Sequence, residues 1–174
     1  VDGLVGSEMC IRDSIICGQN ENSLAWDQGS TIDWASKVIE WIRSYTDRPI
    51  WFRPHPRFPV SFAENKSNNV HISVPKKVQG YDEVDFKSAL QNAYAVVNYN
   101  SNPAIESVLA GVPVYVAESS LCYPVGKEIS TNLDRPAKPD RGEWLKQISY
   151  TEWFVEEIKQ GIPWTRLRPH LTNG

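Results

Sequence analysis

Residues 50 to 58 read IWFRPHPRF, an apolar run that stops abruptly at Arg53-Pro54-His55-Pro56-Arg57. Prolines on both sides of His55 remove backbone donors and restrict the chain, so an imidazole and two guanidiniums are held stiffly at the end of an extended segment. Arginine offers a forked pair of donors and histidine a further one, a combination suited to phosphate or carboxylate. A second group of this kind is Asn100-Ser101-Asn102, which runs into the helical pattern PAIESVLAG. A helix start carries free N–H groups and the positive end of the dipole, and Ser101 adds a hydroxyl. Together the two groups make a cradle for a nucleotide phosphate.

The elements that must position these residues are legible from periodicity. SIICG (14 to 18), PIWF (49 to 52), VHISV (70 to 74), YAVVNY (94 to 99) and PVYVA (113 to 117) are short apolar runs of strand type. TIDWASKVIEWIRSYT (31 to 46) repeats apolar residues at three- and four-residue spacing, with Ser30 or Thr31 as cap. DFKSALQNA (85 to 93) and NPAIESVLAG (102 to 111) read as helices, the second with Asn102 at its cap, Pro103 first and Gly111 at its stop. EWLKQIS and TEWFVEEIKQG add two more before the closing GIPWTRLRP. Alternating strands and helices predict an α/β, Rossmann-like domain, its mostly parallel sheet covered by helices on both faces. In such sheets ligands bind beyond the carboxyl ends of the strands. The residues just past each strand therefore mark the site: Gln19 after the first, Arg53 to Arg57 after the second, Asn100 to Asn102 after the fourth, then Ser119 after the last.

Composition narrows the class. The 174 residues carry 18 Lys+Arg against 21 Asp+Glu. Residues 4 to 14, LVGSEMCIRDS, are what a transposon-type sequencing adapter yields when translated in frame. Residues 1 to 14 are therefore expected to be foreign to the fold, leaving 15 to 174 as one domain whose natural start is missing. That segment holds Arg12 against Asp2, Glu8 and Asp13, so the remainder is 17 against 18, close to neutral. This argues against a nucleic-acid binder, which needs a basic face. No apolar run approaches a membrane span. Outside the first 14 residues only Cys17 and Cys122 remain, without metal-ligand spacing. They suggest reduced thiols in the cytoplasm and no zinc site. No acidic pair stands at a strand end, so no metal is expected; Asp82, Glu83 and Asp85 fall in the loop before a helix.

RPHPR after a strand, then NYNSNPAIESVLAGVPVYV, then SSLCYPVG resembles the C-terminal, nucleotide-sugar-binding half of GT-B glycosyltransferases. The likeness is to the capsule polysaccharide biosynthesis type, which includes Kdo transferases, and covers most of residues 15 to 167. His55-Pro56 matches the family's His-Pro after a strand. Ser101, Glu106, Leu109 (one position late), Gly111, Pro113 and Val114 match its S-x-x-x-x-E-x-L-x-x-G-x-P-V pattern. The resemblance implies that His55 and Ser101 contact the donor phosphate, that Glu106 lies near the ribose or base, and that Gln19 is a third contact. It implies transfer from a nucleotide sugar, such as a CMP-linked one, to a surface glycan acceptor. No cofactor is needed, and the acceptor-side half would precede residue 15. Cytoplasmic work, peripheral to the inner membrane in a polysaccharide-assembly complex, goes with that reading. Asn100-Ser101-Asn102-Pro103 departs from the usual Ser/Thr-x-Gly helix start, which leaves the donor open. Two alternatives stand beside it: a nucleotide-sugar epimerase of the same shape, and a non-catalytic α/β module using some of the seven tryptophans, Trp26 above all, as contacts.

Overall fold

The computed structural model describes residues 12–61, 66–76, 85–134, 136–151 and 153–171. Residues 1–11, residues 62–65, and Asp82 and Glu83 thus lie outside the described residues. The chain divides into two compact units, Val1–Pro139 and Asp140–Gly174.

The first unit is built on six parallel strands: β1 (Asp13–Cys17), β2 (Ile50–Arg53), β3 (Val70–Ile72), β4 (Ala93–Asn98), β5 (Val114–Val116) and β6 (Lys127–Glu128), in spatial order β3-β2-β1-β4-β5-β6. Its helices are α1 (Thr31–Arg43), α2 (Phe86–Leu90) and α3 (Pro103–Leu109). The α/β, Rossmann-like class read from the sequence is the class found. Strand β6, two residues long, carried no apolar run to announce it. The predicted strands are otherwise present with ends shifted by a residue or two.

Period-two alternation explains the two layers. Ile16 aligns with Phe52 on one side and Val97 on the other, and Val97 with Tyr115. These side chains form one core with Trp34, Ala35, Val38, Ile39 and Ile42, the buried stripe of α1. Ser30 caps that helix, its side chain accepting from the Ile32 and Asp33 N–H groups. Side chains of opposite parity, such as Ile15, Trp51 and Arg53, look toward α2, since they share a cavity with Ser88 and Ala89. Helices therefore cover both faces.

Helix α3 ends as its glycine predicts. Gly111 has φ +78°, a left-handed conformation that costs a glycine little. Its N–H reaches the Val108 carbonyl at 3.0 Å, and the Val112 N–H reaches Ser107 at 2.9 Å, the paired bonds of a Schellman stop. The start differs from expectation: Asn102 has helical backbone angles and makes no side-chain cap bond. Asn98, at the end of β4, bonds the turn before α3 in its place.

The second unit holds α4 (Gly142–Ile148), α5 (Val155–Lys159) and α6 (Ile162–Leu171). α6 begins in the closing GIPWTRLRP, to which the sequence reading assigned no element. Pro163 sits in the first turn, where a missing N–H costs nothing, although Pro169 lies inside the helix. No residue of α5 or α6 is buried. No described helix is long and apolar enough to cross a membrane.

Candidate functional site

Strand order 3-2-1-4-5-6 places a switch point between β1 and β4, from which the chain winds outward in both directions. Connections on the two sides diverge there and leave a crevice beyond the carboxyl ends. A cleft of about 350 Å³ opens at this place. Its walls come from Cys17 and Gly18 at the end of β1, Arg53 to Arg57 at the end of β2, Pro75 and Phe86, and Ser101, Asn102, Pro103 and Glu106 at the start of α3. Gly18 keeps the wall thin: a Cβ there would stand 3.2 Å from the Phe52 ring and 3.4 Å from the Arg53 carbonyl.

The segment after β2 folds as a tight turn, with the Phe58 N–H on the His55 carbonyl at 3.0 Å. The Arg57 N–H donates to His55 Nδ1 at 3.1 Å. A backbone N–H can only donate, so Nδ1 is the acceptor and the neutral ring carries its proton on Nε2. His55 is half-buried and Arg57 exposed, both at the cleft.

Arg53 differs from its neighbours. It is 5% exposed and donates to Ser73 Oγ at 2.6 Å and to Asp85 Oδ1 at 2.7 Å. Its guanidinium lies 5.6 Å from the centre of the Phe86 ring. Asp85 also accepts the Lys76 N–H at 3.1 Å. Burial pushes the Asp85 carboxyl up, but the hydrogen bonds from Arg53 and Lys76 and the Arg53 charge outweigh it and hold the group below its ordinary value. Arg53 thus borders the cleft with its charge already matched.

On the α3 side the organiser is Asn98, fully buried at the end of β4. Its Oδ1 accepts the Ser101 N–H at 2.8 Å, and its Nδ2 donates to Ser101 Oγ at 2.8 Å. The Ser101 oxygen is thereby an acceptor, and its own proton can be given to a ligand. The helix start contributes less than the sequence suggested. α3 has seven residues, Pro103 has no N–H, and the Ala104 N–H is bonded to the Ser101 carbonyl at 3.2 Å. Glu106 is half-buried; burial raises its pKa and the charge of Lys87 opposes the rise. Cys17 is buried, and its thiol is pushed up to about 12, mainly by burial, against the Arg53 charge and with that of Glu106. It stays protonated and is no nucleophile.

Gln19, Asn100 and Ser119 meet elsewhere on the same edge. Gln19 is 4% exposed; its Nε2 donates to Asn100 Oδ1 at 2.6 Å and its Oε1 accepts the Asn100 N–H at 3.3 Å. Asn100 Nδ2 in turn reaches the Ala25 carbonyl at 2.9 Å and Ser119 Oγ at 3.1 Å. Trp26 donates to the Gly29 carbonyl at 2.6 Å and packs edge-on against Trp34 and Tyr99, at 5.7 and 5.3 Å. These groups fasten the loop between β1 and α1, and none of them lines the cleft.

Of the residues named from sequence, then, Arg53, His55, Arg57, Ser101, Asn102 and Glu106 come together, while Gln19, Asn100 and Ser119 form a separate knot. Asn98 and Asp85 were missed. A lone amide in the apolar run YAVVNY was the available signal for Asn98, because a buried carboxamide in a central strand needs partners. Among the described residues, no cluster of His, Cys, Asp or Glu is gathered that could hold a metal ion. Compared with protein-family models and with curated proteins, the chain matches none.

Proposed function

We propose that this domain is the donor-binding half of a glycosyltransferase that takes a sugar from a nucleotide sugar to a glycan acceptor. One observation carries the reading: His55, Arg57 and Ser101, from two different strand ends, line a single cleft at the switch point of a 3-2-1-4-5-6 sheet. Glycosyl transfer breaks the bond between the anomeric carbon and a phosphate oxygen, so charge grows on the leaving phosphate. Donors fixed in advance around that oxygen stabilise it without reorganising. The His55 Nε2–H, the Ser101 hydroxyl and the Arg57 guanidinium are suited to this. The buried bond from Asn98 holds Ser101 in place, and the two prolines hold His55. Glu106 offers acceptors to sugar hydroxyls of the nucleotide. In this reading the enzyme works in the cytoplasm on capsule-type polysaccharide, peripheral to the membrane where that polysaccharide is assembled.

Titration calorimetry with CMP, UDP and GDP tests the reading. One nucleotide should bind selectively, and His55→Ala should weaken it about tenfold, the worth of one lost charge-assisted bond. Ser101→Ala should weaken it similarly and also lower stability, because a buried Asn98 Nδ2 loses its acceptor. A folded protein that binds none of the three overturns the proposal.

A further inference from the structure

We propose that Asn98 sets the specificity of this cleft by committing the Ser101 hydroxyl to donate outward. The ligand atom seated there must then be an acceptor, a phosphate oxygen, and not a donor such as an ammonium or amide N–H. The inference rests on the reading of the cleft as a nucleotide site and deepens it by naming the residue that decides what the ligand must offer. Asn98 aligns with Cys17, and Cys17 with Arg53, in one row across the ends of β4, β1 and β2. Cys17 and Arg53 line the cleft; Asn98, fully buried, stands next in the row and bonds Ser101, which lines it too.

The Ser101 N–H can only donate, so the atom 2.8 Å from it is the amide oxygen of Asn98. The amide nitrogen is then the atom 2.8 Å from Ser101 Oγ, and because it too can only donate, Oγ accepts. Among the described residues Oγ makes no other hydrogen bond, so its proton is left for what enters the cleft. A carboxylate at position 98 would fill the same space but accept both the N–H and the hydroxyl proton, turning the Oγ lone pairs toward the cleft. The amide excludes that state, so one hydroxyl's polarity discriminates between ligand groups. The start of α3 adds to its weight, since Pro103 has no N–H and the Ala104 N–H is bonded to the Ser101 carbonyl. Asn98 acts through Ser101, which makes it a positioning residue, and Asn98→Asp is the informative change.

The probes are CMP and cytidine, with the uridine and guanosine pairs in parallel. Calorimetry compares wild type, Ser101→Ala, Asn98→Asp and the double variant. From wild type, Ser101→Ala should weaken CMP about tenfold, the size of one charge-assisted hydrogen bond, and leave cytidine unchanged. Asn98→Asp should weaken CMP at least as much, and Ser101→Ala should cost nothing further in that background. Both members of the second pair carry the same carboxylate, so its charge cancels, and a role confined to folding would not move this difference. Equal losses in the two backgrounds overturn the inference and leave the site reading standing, as does CMP binding that Asn98→Asp leaves unchanged. Where Asn98→Asp does not fold or binds no CMP, Ser101→Ala decides. CMP held as tightly as by wild type, or cytidine weakened as much as CMP, overturns the inference, and a tenfold loss confined to CMP upholds it. Absence of nucleotide binding by folded wild type overturns both.

Discussion

The carboxyl edge of the sheet carries two polar clusters of similar composition and opposite use. Around Gln19, Asn100 and Ser119 the amides bond one another, at 2.6 Å for the shortest contact, and close the β1–α1 loop over the edge. Around His55, Arg57 and Ser101 the polar groups instead border open volume. Buried amides with mutual partners specify a conformation; polar groups that line a cavity face whatever ligand enters it. Polarity at a strand end thus marks an edge, and the open volume beside it marks the part of the edge that can take a ligand.

The largest expected effect breaks the closed cluster. Gln19→Ala removes two partners of Asn100 inside the protein, so stability should fall by about 3 kcal/mol in urea denaturation. Nucleotide affinity of the folded fraction should be unchanged. A variant of wild-type stability with weakened binding would mean that the two clusters act as one site after all.

Trp26→Ala asks the same question of the aromatic group beneath the loop. Trp26 contacts Trp34 and Tyr99 edge-on and donates to the Gly29 carbonyl. A loss of about 2 kcal/mol is expected, smaller than for a fully buried tryptophan. Binding should be spared. The sequence alone put Trp26 first among the tryptophans as a contact residue. It could not disclose that this loop folds back onto α1 and Tyr99.

That limit recurs. Periodicity exposed the strands, the α1 stripe and the glycine stop of α3, because each is a local pattern of burial or backbone conformation. The pairing of Arg53 with Asp85, 32 residues away, depends on how α2 docks and leaves no local trace. The same holds at the start of the fold. Asp13 and Ser14 read as foreign to it, yet both lie in β1, where the Asp13 carboxylate accepts from Trp51 Nε1 at 3.0 Å. Ser14 fits less well, its hydroxyl being the one buried side-chain polar atom without a hydrogen-bond partner among the described residues. Strand pairing with Ile50 and Ala95 is a backbone matter and accepts almost any residue there.

The smallest expected effect separates the two carboxylates associated with the cleft. Asp85 is held below its ordinary value of 3.8, so the unfolded chain binds its proton more readily than the native one. Its contribution is present above pH 3.8 and is lost as pH falls through the lower native value. Glu106 is raised above 4.5, so here the native state binds the proton more readily. Stability from this group is greatest below pH 4.5 and declines as pH rises through the raised native value. Glu106→Gln should therefore gain stability at neutral pH, by less than the changes above because the side chain is half-exposed, and remove that decline. Urea midpoints of wild type and Glu106→Gln across pH 4 to 8 measure the difference. Curves that stay parallel would mean that Glu106 titrates as it does in the unfolded chain, and the cleft would then be as wet as the open surface.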